Sequence, residues 1–279
     1  MNISRLNNFQ QRSLMSFIGI AYSSFVIYFS HTSPLDYLFV LTIALSQGAA
    51  LYEYYTLSTN KGFQPLIKLP VIASIVYYFI YYALGLQSLA LPFLFLFMAA
   101  SFVAHFARYE NSIGNLAVTA FGIAYITLPL SLLLDVNFLG SSAWFVYLLV
   151  TTKMADTTAY IAGKLSGKHL LAPKLSPKKT VEGAIGGLLG SVATSVAFFA
   201  YFQTRDDFSS LDITLIEGLT LGIIIGVISQ IGDLAESLIK RDAQVKDSSK
   251  LPGFGGMLDV VDSLIFTTPL LYLWLRSRL

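Results

Sequence analysis

Asp233, Glu236, Ser237 and Lys240 stand at i, i+3, i+4 and i+7, a spacing that puts them on one face of a helix. Asp259 and Asp262 form a second pair at i and i+3. Two carboxylates that close repel each other unless a cation lies between them. Hard oxygen donors suit Mg²⁺ or Mn²⁺ better than a soft metal. Pro252-Gly253-Phe254-Gly255-Gly256 precedes the second pair and frees the backbone to approach a ligand before a helix begins. An Asp-x-x-Asp at a helix start also serves the helix dipole on its own. The company of Asp233, Lys240, Arg241, Lys246 and Asp247 favours a cation site.

A second polar stretch covers residues 153–182. Asp156 interrupts an apolar run, and Lys153 lies three residues before it on the same helical face. A charge inside a bilayer costs on the order of 2.5–3.5 kcal/mol, so such a residue faces a partner or a polar cavity. A structural Lys153–Asp156 pair is the plainer reading, and a site group the sharper one. Ser176-Pro177-Lys178-Lys179-Thr180 follows, with Thr180 placed to cap the next helix. Free N–H groups at a helix start, beside two lysines, would attract a polyphosphate. By itself the same run would serve as a basic anchor at the headgroups.

Carboxylates with a divalent cation, among many Lys and Arg, are the parts of phosphoryl or nucleotidyl transfer. An acceptor that is itself a phosphate is already ionised, so charge neutralisation and alignment suffice without a general base. Other chemistries lack their groups. The chain has no cysteine, and no P-loop or nucleophile-elbow motif. His31, His105 and His169 show no metal-ligand or triad spacing.

The elements that must position these residues are membrane spans. Hydrophobic residues make up 55% of the 279 and charged residues 12%, against roughly 25% charged in a soluble domain. The expected fold is all-α, a polytopic integral membrane protein of about nine transmembrane helices. The apolar runs are 13–30, 37–57, 69–86, 88–107, 113–134, 141–163, 183–202, 213–233 and 256–275. They do not alternate, which argues against strands. Only Gly85-Leu86-Gln87-Ser88 divides the third from the fourth, which leaves a re-entrant pair open. Arg5 and Arg12 precede the first run, which lacks a small-residue cleavage motif and reads as a retained span. With the N-terminus inside, basic residues gather on the cytoplasmic side, and only Arg205, Arg276 and Arg278 fall outside. The loops 164–182 and 234–255 then face the cytoplasm. Residues 1–140 read as motif-free spans and 141–279 as the catalytic region. A net charge of +2 gives no argument for nucleic acid. Gly218, Gly222 and Gly226 recur every four residues, as expected for packing within the bundle or for a homodimer face.

From about residue 140 onward, the sequence resembles the phosphatidate cytidylyltransferase (CDP-diacylglycerol synthase) family. The likeness is carried by Asp156-Thr157, the run Leu171 to Gly183, the run Gly232 to Arg241, Lys246-Asp247-Ser248, and Pro252 to Ser263. It implies the reaction CTP + phosphatidate → CDP-diacylglycerol + pyrophosphate with Mg²⁺, and room for a second cation. Asp233, Asp259 and Asp262 would take the metal. Lys240 and Arg241 would join them in the catalytic group. Asp156, Ser176, Lys178, Lys179, Thr180, Lys246 and Asp247 would bind substrate. The implied location is the cytoplasmic membrane, with the active site facing the cytoplasm. The chain departs from the family at Phe254, where His is usual, and at Val260, where Arg is frequent. A CTP-dependent polyprenol or phytol kinase is the enzymatic alternative, and a transporter with intramembrane carboxylates the non-enzymatic one.

Overall fold

A computed structural model of the protein describes residues 8–85, 90–106, 110–139, 141–205, 213–245, 248 and 256–278. Each apolar run expected to be helical is helical over most of its described residues. In chain order the helices are α1 (Asn8–Tyr28), α2 (Asp36–Asn60), α3 (Lys68–Leu84), α4 (Ala90–His105), α5 (Ser112–Gly122), α6 (Leu128–Phe138), α7 (Ser142–Ser166), α8 (Val181–Phe202), α9 (Leu215–Asp242) and α10 (Met257–Arg276). A π-helical turn, Ile123–Thr127, joins α5 to α6 into one 27-residue rod. The connection at 86–89, where a re-entrant pair was left open, lies outside the described residues.

Among the described residues, four helical rods are long and apolar enough to cross a membrane: Ser112–Phe138, Val181–Phe202, Leu215–Asp242 and Met257–Arg276. Phe17–Tyr28, Lys68–Leu84 and Ala90–His105 are apolar but shorter. α2 and α7 have the length, yet Gln47 and Glu53 in one and Lys153 and Asp156 in the other lower their hydropathy. The protein is thus a helical, multi-pass membrane protein.

Two boundaries differ from the sequence expectation. α9 continues to Asp242, so much of the supposed loop after 233 is helix. Ala235, Glu236, Leu238, Lys240 and Arg241 are good helix formers, and the two basic residues in the last turn complement the dipole. The loop after α7 is also ordered. It holds a small antiparallel hairpin, β1 (Leu170–Ala172) and β2 (Ser176–Thr180), with Leu170 opposite Thr180 and Ala172 opposite Ser176.

The chain divides into two compact units: 1–134 with 242–261, and 135–241 with 262–279. In the first, Tyr55 donates to the Thr119 carbonyl at 2.8 Å and Tyr78 to the Thr127 carbonyl at 3.0 Å. Nε2 of Gln47 donates to the Thr127 hydroxyl at 2.9 Å. Side chains of α2 and α3 therefore satisfy polar groups around the π turn, where the regular helical ladder is interrupted.

In the second unit, close helix packing is built from small residues. Gly218, Gly222 and Gly226 of α9 face Phe199, Ser195 and Ser191 of α8. The Ser191 and Ser195 hydroxyls donate to the Gly222 and Gly218 carbonyls at 2.9 and 2.6 Å. A Cβ at Gly226 would lie 2.1 Å from the Ser191 hydroxyl, so no larger residue fits there. This glycine face is consumed within the unit, which is the packing reading and not the homodimer one. One end of the unit is an aromatic cluster, with the Trp144 ring 5.0 Å from Phe202 and 5.2 Å from Trp274. These rings lie at the start of α7 and the ends of α8 and α10. Asp156, Lys164, Glu182, Asp233, Glu236 and Lys240 lie in the C-terminal half of α7, at the start of α8 and in the C-terminal half of α9. Arg278, an arginine discordant with the charge bias, pairs with Glu217 at the start of α9.

Candidate active site

The polar groups of the second unit converge because neighbouring helices run in opposite directions. α7 delivers Asp156 in its C-terminal half. β2 delivers Ser176, Lys178 and Lys179 immediately before α8. α9 delivers Gln230 and Asp233. These residues, with Tyr160, Gly163, Lys164 and Thr180, line a cavity of about 420 Å³. That size falls in the range of small-molecule sites. Five residues expected from the sequence to bind substrate (Asp156, Ser176, Lys178, Lys179 and Thr180) thus share one cavity with Asp233.

Within the unit, ion pairs organise the charges. Lys179 pairs with Asp233. Lys153 approaches Asp156 at 3.5 Å, as the i, i+3 spacing allows. Lys240 pairs with the buried Glu236 at 2.5 Å, one turn away on α9. Arg241 Nε donates to the Leu175 carbonyl at 3.0 Å, which ties the hairpin to the end of α9.

Asp233, Glu236 and Asp262 present carboxylate oxygens within 4.8 Å of one another. Glu236 and Asp262 are 0% and 5% exposed. Buried carboxylates at this separation need compensating positive charge. All-oxygen donors of this kind fit a hard divalent cation such as Mg²⁺. The sequence expectation gave the metal role to Asp233, Asp259 and Asp262; within the second unit Glu236 stands with Asp233 and Asp262. The signal for Glu236 was present, since it lies three residues after Asp233 on the same face.

Asp259 lies in the first turn of α10, in the first unit. Its Oδ2 accepts from the Gly256 amide and from the Ser248 hydroxyl, both at 3.0 Å. This is how a capping residue behaves at a helix start. Lys246 and Asp247 lie outside the described residues, as does Phe254.

The start of α8 departs from expectation. Thr180 does cap it, with its hydroxyl accepting from the Gly183 amide at 3.1 Å. Free helix N–H groups for a phosphate were also expected there. The Gly183 amide is taken by Thr180, and the Val181 amide donates to the His169 carbonyl at 2.8 Å. The reason is the hairpin, which folds back and supplies its own acceptors. Glu182 holds that loop, accepting from the Lys168 and His169 amides at 3.0 and 3.2 Å and contacting the His169 ring at 2.6 Å.

Grouped carboxylates beside a cavity lined by lysines, in a helical multi-pass membrane protein, are the class of arrangement that the fold and site define. The sequence profile of the cytidylyltransferase family matches residues 10–278, and the chain belongs to that family. It is 32% identical over 273 residues to the phosphatidate cytidylyltransferase of Chlamydia pneumoniae, covering 90% of this chain and 86% of the relative. The protein of that name from Chlamydia muridarum is 36% identical over 193 residues, covering 65% of this chain and 62% of the relative. That from Staphylococcus aureus strain COL is 36% identical over 129 residues, covering 46% and 47%.

Proposed function

We propose that the protein makes CDP-diacylglycerol and pyrophosphate from CTP and phosphatidate, with Mg²⁺, at the cytoplasmic face of the cytoplasmic membrane. The observation that carries this reading is the carboxylate group Asp233, Glu236 and Asp262 in the same compact unit as a cavity lined by Lys178 and Lys179. The basic bias of residues 164–182 and 234–255 supports the cytoplasmic orientation. Family membership and the relatives' names support the substrates.

In this reaction an oxygen of the lipid phosphate attacks the α-phosphorus of CTP. A new P–O bond forms, the α–β bond breaks, and its electron pair leaves with pyrophosphate. The lipid phosphate is ionised at neutral pH, so no protein base is needed. Lys178 and Lys179 hold nucleotide or lipid phosphate oxygens and offset the charge that brings two anions together. Lys240 and Glu236 fix each other, keeping Glu236 turned toward its two neighbours. Bound at Asp233, Glu236 and Asp262, Mg²⁺ would supply Lewis-acid stabilisation of phosphate charge. Asp259, engaged at the start of α10, sets where that helix begins. A second copy, where one associates, docks on a face other than the 218–226 stripe.

Purified full-length protein in phosphatidate-containing micelles should release pyrophosphate from CTP in the presence of Mg²⁺ and convert the lipid to a cytidine diphosphate ester. Release of CDP without pyrophosphate would identify the kinase alternative and overturn the proposal.

A further inference from the structure

Glu53 is a buried carboxylate of the first unit, outside the site. It is the single acidic residue in the apolar run 37–57, and it is only 5% exposed. A carboxylate so placed is costly unless donors meet it. Three do. The Met257 amide donates to Oε1 at 2.9 Å, and the Leu258 amide to Oε2 at 2.8 Å. The Ser248 hydroxyl lies 2.9 Å from Oε2. Met257 and Leu258 are the first two residues of α10, so Glu53 caps that helix across about 200 residues of sequence. Its charge complements the helix dipole there.

The contact is fitted closely. A Cβ added to Gly256 would lie 2.7 Å from Glu53 Oε2, 2.9 Å from Asp259 Oδ2 and 1.6 Å from the Ser248 hydroxyl. Ser248 also reaches Asp259 at 3.0 Å, so Glu53, Ser248 and Asp259 form one connected group around the helix start. Asp262 follows Asp259 by three residues on the same helix. A helix is stiff along its axis at 1.5 Å per residue, so a change of register or tilt at its first turn is carried to the carboxylate one turn on. Metal ligation tolerates displacements of only about 0.5 Å.

We infer that Glu53 is a positioning residue: by gripping the Met257 and Leu258 amides, it sets the height and rotation of the helix that presents Asp262 for metal binding. The inference rests on the metal reading of Asp233, Glu236 and Asp262. It adds a requirement from α2, a helix that supplies none of those three carboxylates.

The test uses the full chain with Glu53→Gln and Glu53→Ala. Gln keeps the size and one acceptor oxygen, and it carries the test where Ala prevents folding. Three quantities are read: hydrogen exchange of the Met257 and Leu258 amides, Mn²⁺ binding by electron paramagnetic resonance without substrate, and the Mg²⁺ concentration that half-saturates pyrophosphate release. In Glu53→Gln we expect amide exchange to quicken about tenfold. The Mn²⁺ dissociation constant and the half-saturating Mg²⁺ should each rise about fivefold, with larger shifts in Glu53→Ala. Faster exchange with unchanged metal affinity would leave Glu53 a plain structural cap and overturn the inference. Unchanged exchange would overturn it too. If the parent protein binds Mn²⁺ but releases no pyrophosphate, the proposed function fails, while exchange and Mn²⁺ binding still decide the role of Glu53.

Discussion

Two groups of carboxylates in this protein are satisfied in opposite ways. In the first unit, Glu53 and Asp259 meet the Met257, Leu258 and Gly256 amides and the Ser248 hydroxyl. Backbone N–H groups at a helix start cannot leave, so these acids are bound into the architecture. In the second unit, Asp233, Glu236 and Asp262 point at one another, and Lys179 and Lys240 offset their charge. Lysine is a point charge on a flexible stem and can exchange one anion for another. A carboxylate held by amides fixes a helix. Carboxylates held against each other keep an unfavourable arrangement that a cation can relieve.

The largest expected effect falls on the second group. Asp262→Asn should lower nucleotidyl transfer on the order of 10²–10³-fold or more, the scale set by removing one transition-state electrostatic contact. The same variant should unfold without Mg²⁺ at a temperature equal to or above that of the parent, because one of three repelling charges is gone. Parental activity in Asp262→Asn would remove the cluster from the mechanism. Glu53→Ala should show the opposite sign in stability. It strands the Met257 and Leu258 amides, and each buried unsatisfied donor costs about 1–3 kcal/mol. A midpoint lowered by several degrees, read by thermal unfolding in detergent, is the expected result. If both variants move the midpoint in the same direction, the distinction between the two groups collapses.

Lys179→Ala comes next. Its ion pair with Asp233 and its place in the cavity predict a loss in kcat/KM of roughly 10–100-fold, the worth of one charge-assisted contact of about 1.5–3 kcal/mol. Lys178 lines the same cavity but is exposed, so Lys178→Ala should lose less. Equal losses would mean that the cavity senses total positive charge and not the pairing.

Much of the second group was legible in the sequence. The i, i+3 spacing in α9 put Asp233 and Glu236 on one face, and hydropathy marked the helices. Asp262 was named through its neighbour Asp259, and only three-dimensional packing separated their partners. The hairpin 170–180 was missed because its strands are short and mostly exposed, so no alternating pattern marks them. It also engages the Val181 and Gly183 amides at the start of α8. Glu53 was overlooked, although a lone acid in an apolar run is itself a signal. What the sequence withheld was its donors, which lie about 200 residues away on the backbone of α10. Backbone amides carry no residue type, so no motif could announce them.

The smallest effect is expected at Lys61. It pairs with Asp242 at 2.6 Å, and the two side chains are 43% and 61% exposed. A pair so exposed to solvent contributes about 0–1 kcal/mol. Lys61→Ala should therefore leave the unfolding midpoint within a degree or two and the turnover within about twofold of the parent. The variant removes one positive charge, as Lys179→Ala does, but from a pair exposed to solvent on both sides. If Lys61→Ala lowered kcat/KM as far as Lys179→Ala, the substrates would be responding to the basic surface in general. A difference of tenfold or more between the two would tie the effect to where Lys179 sits.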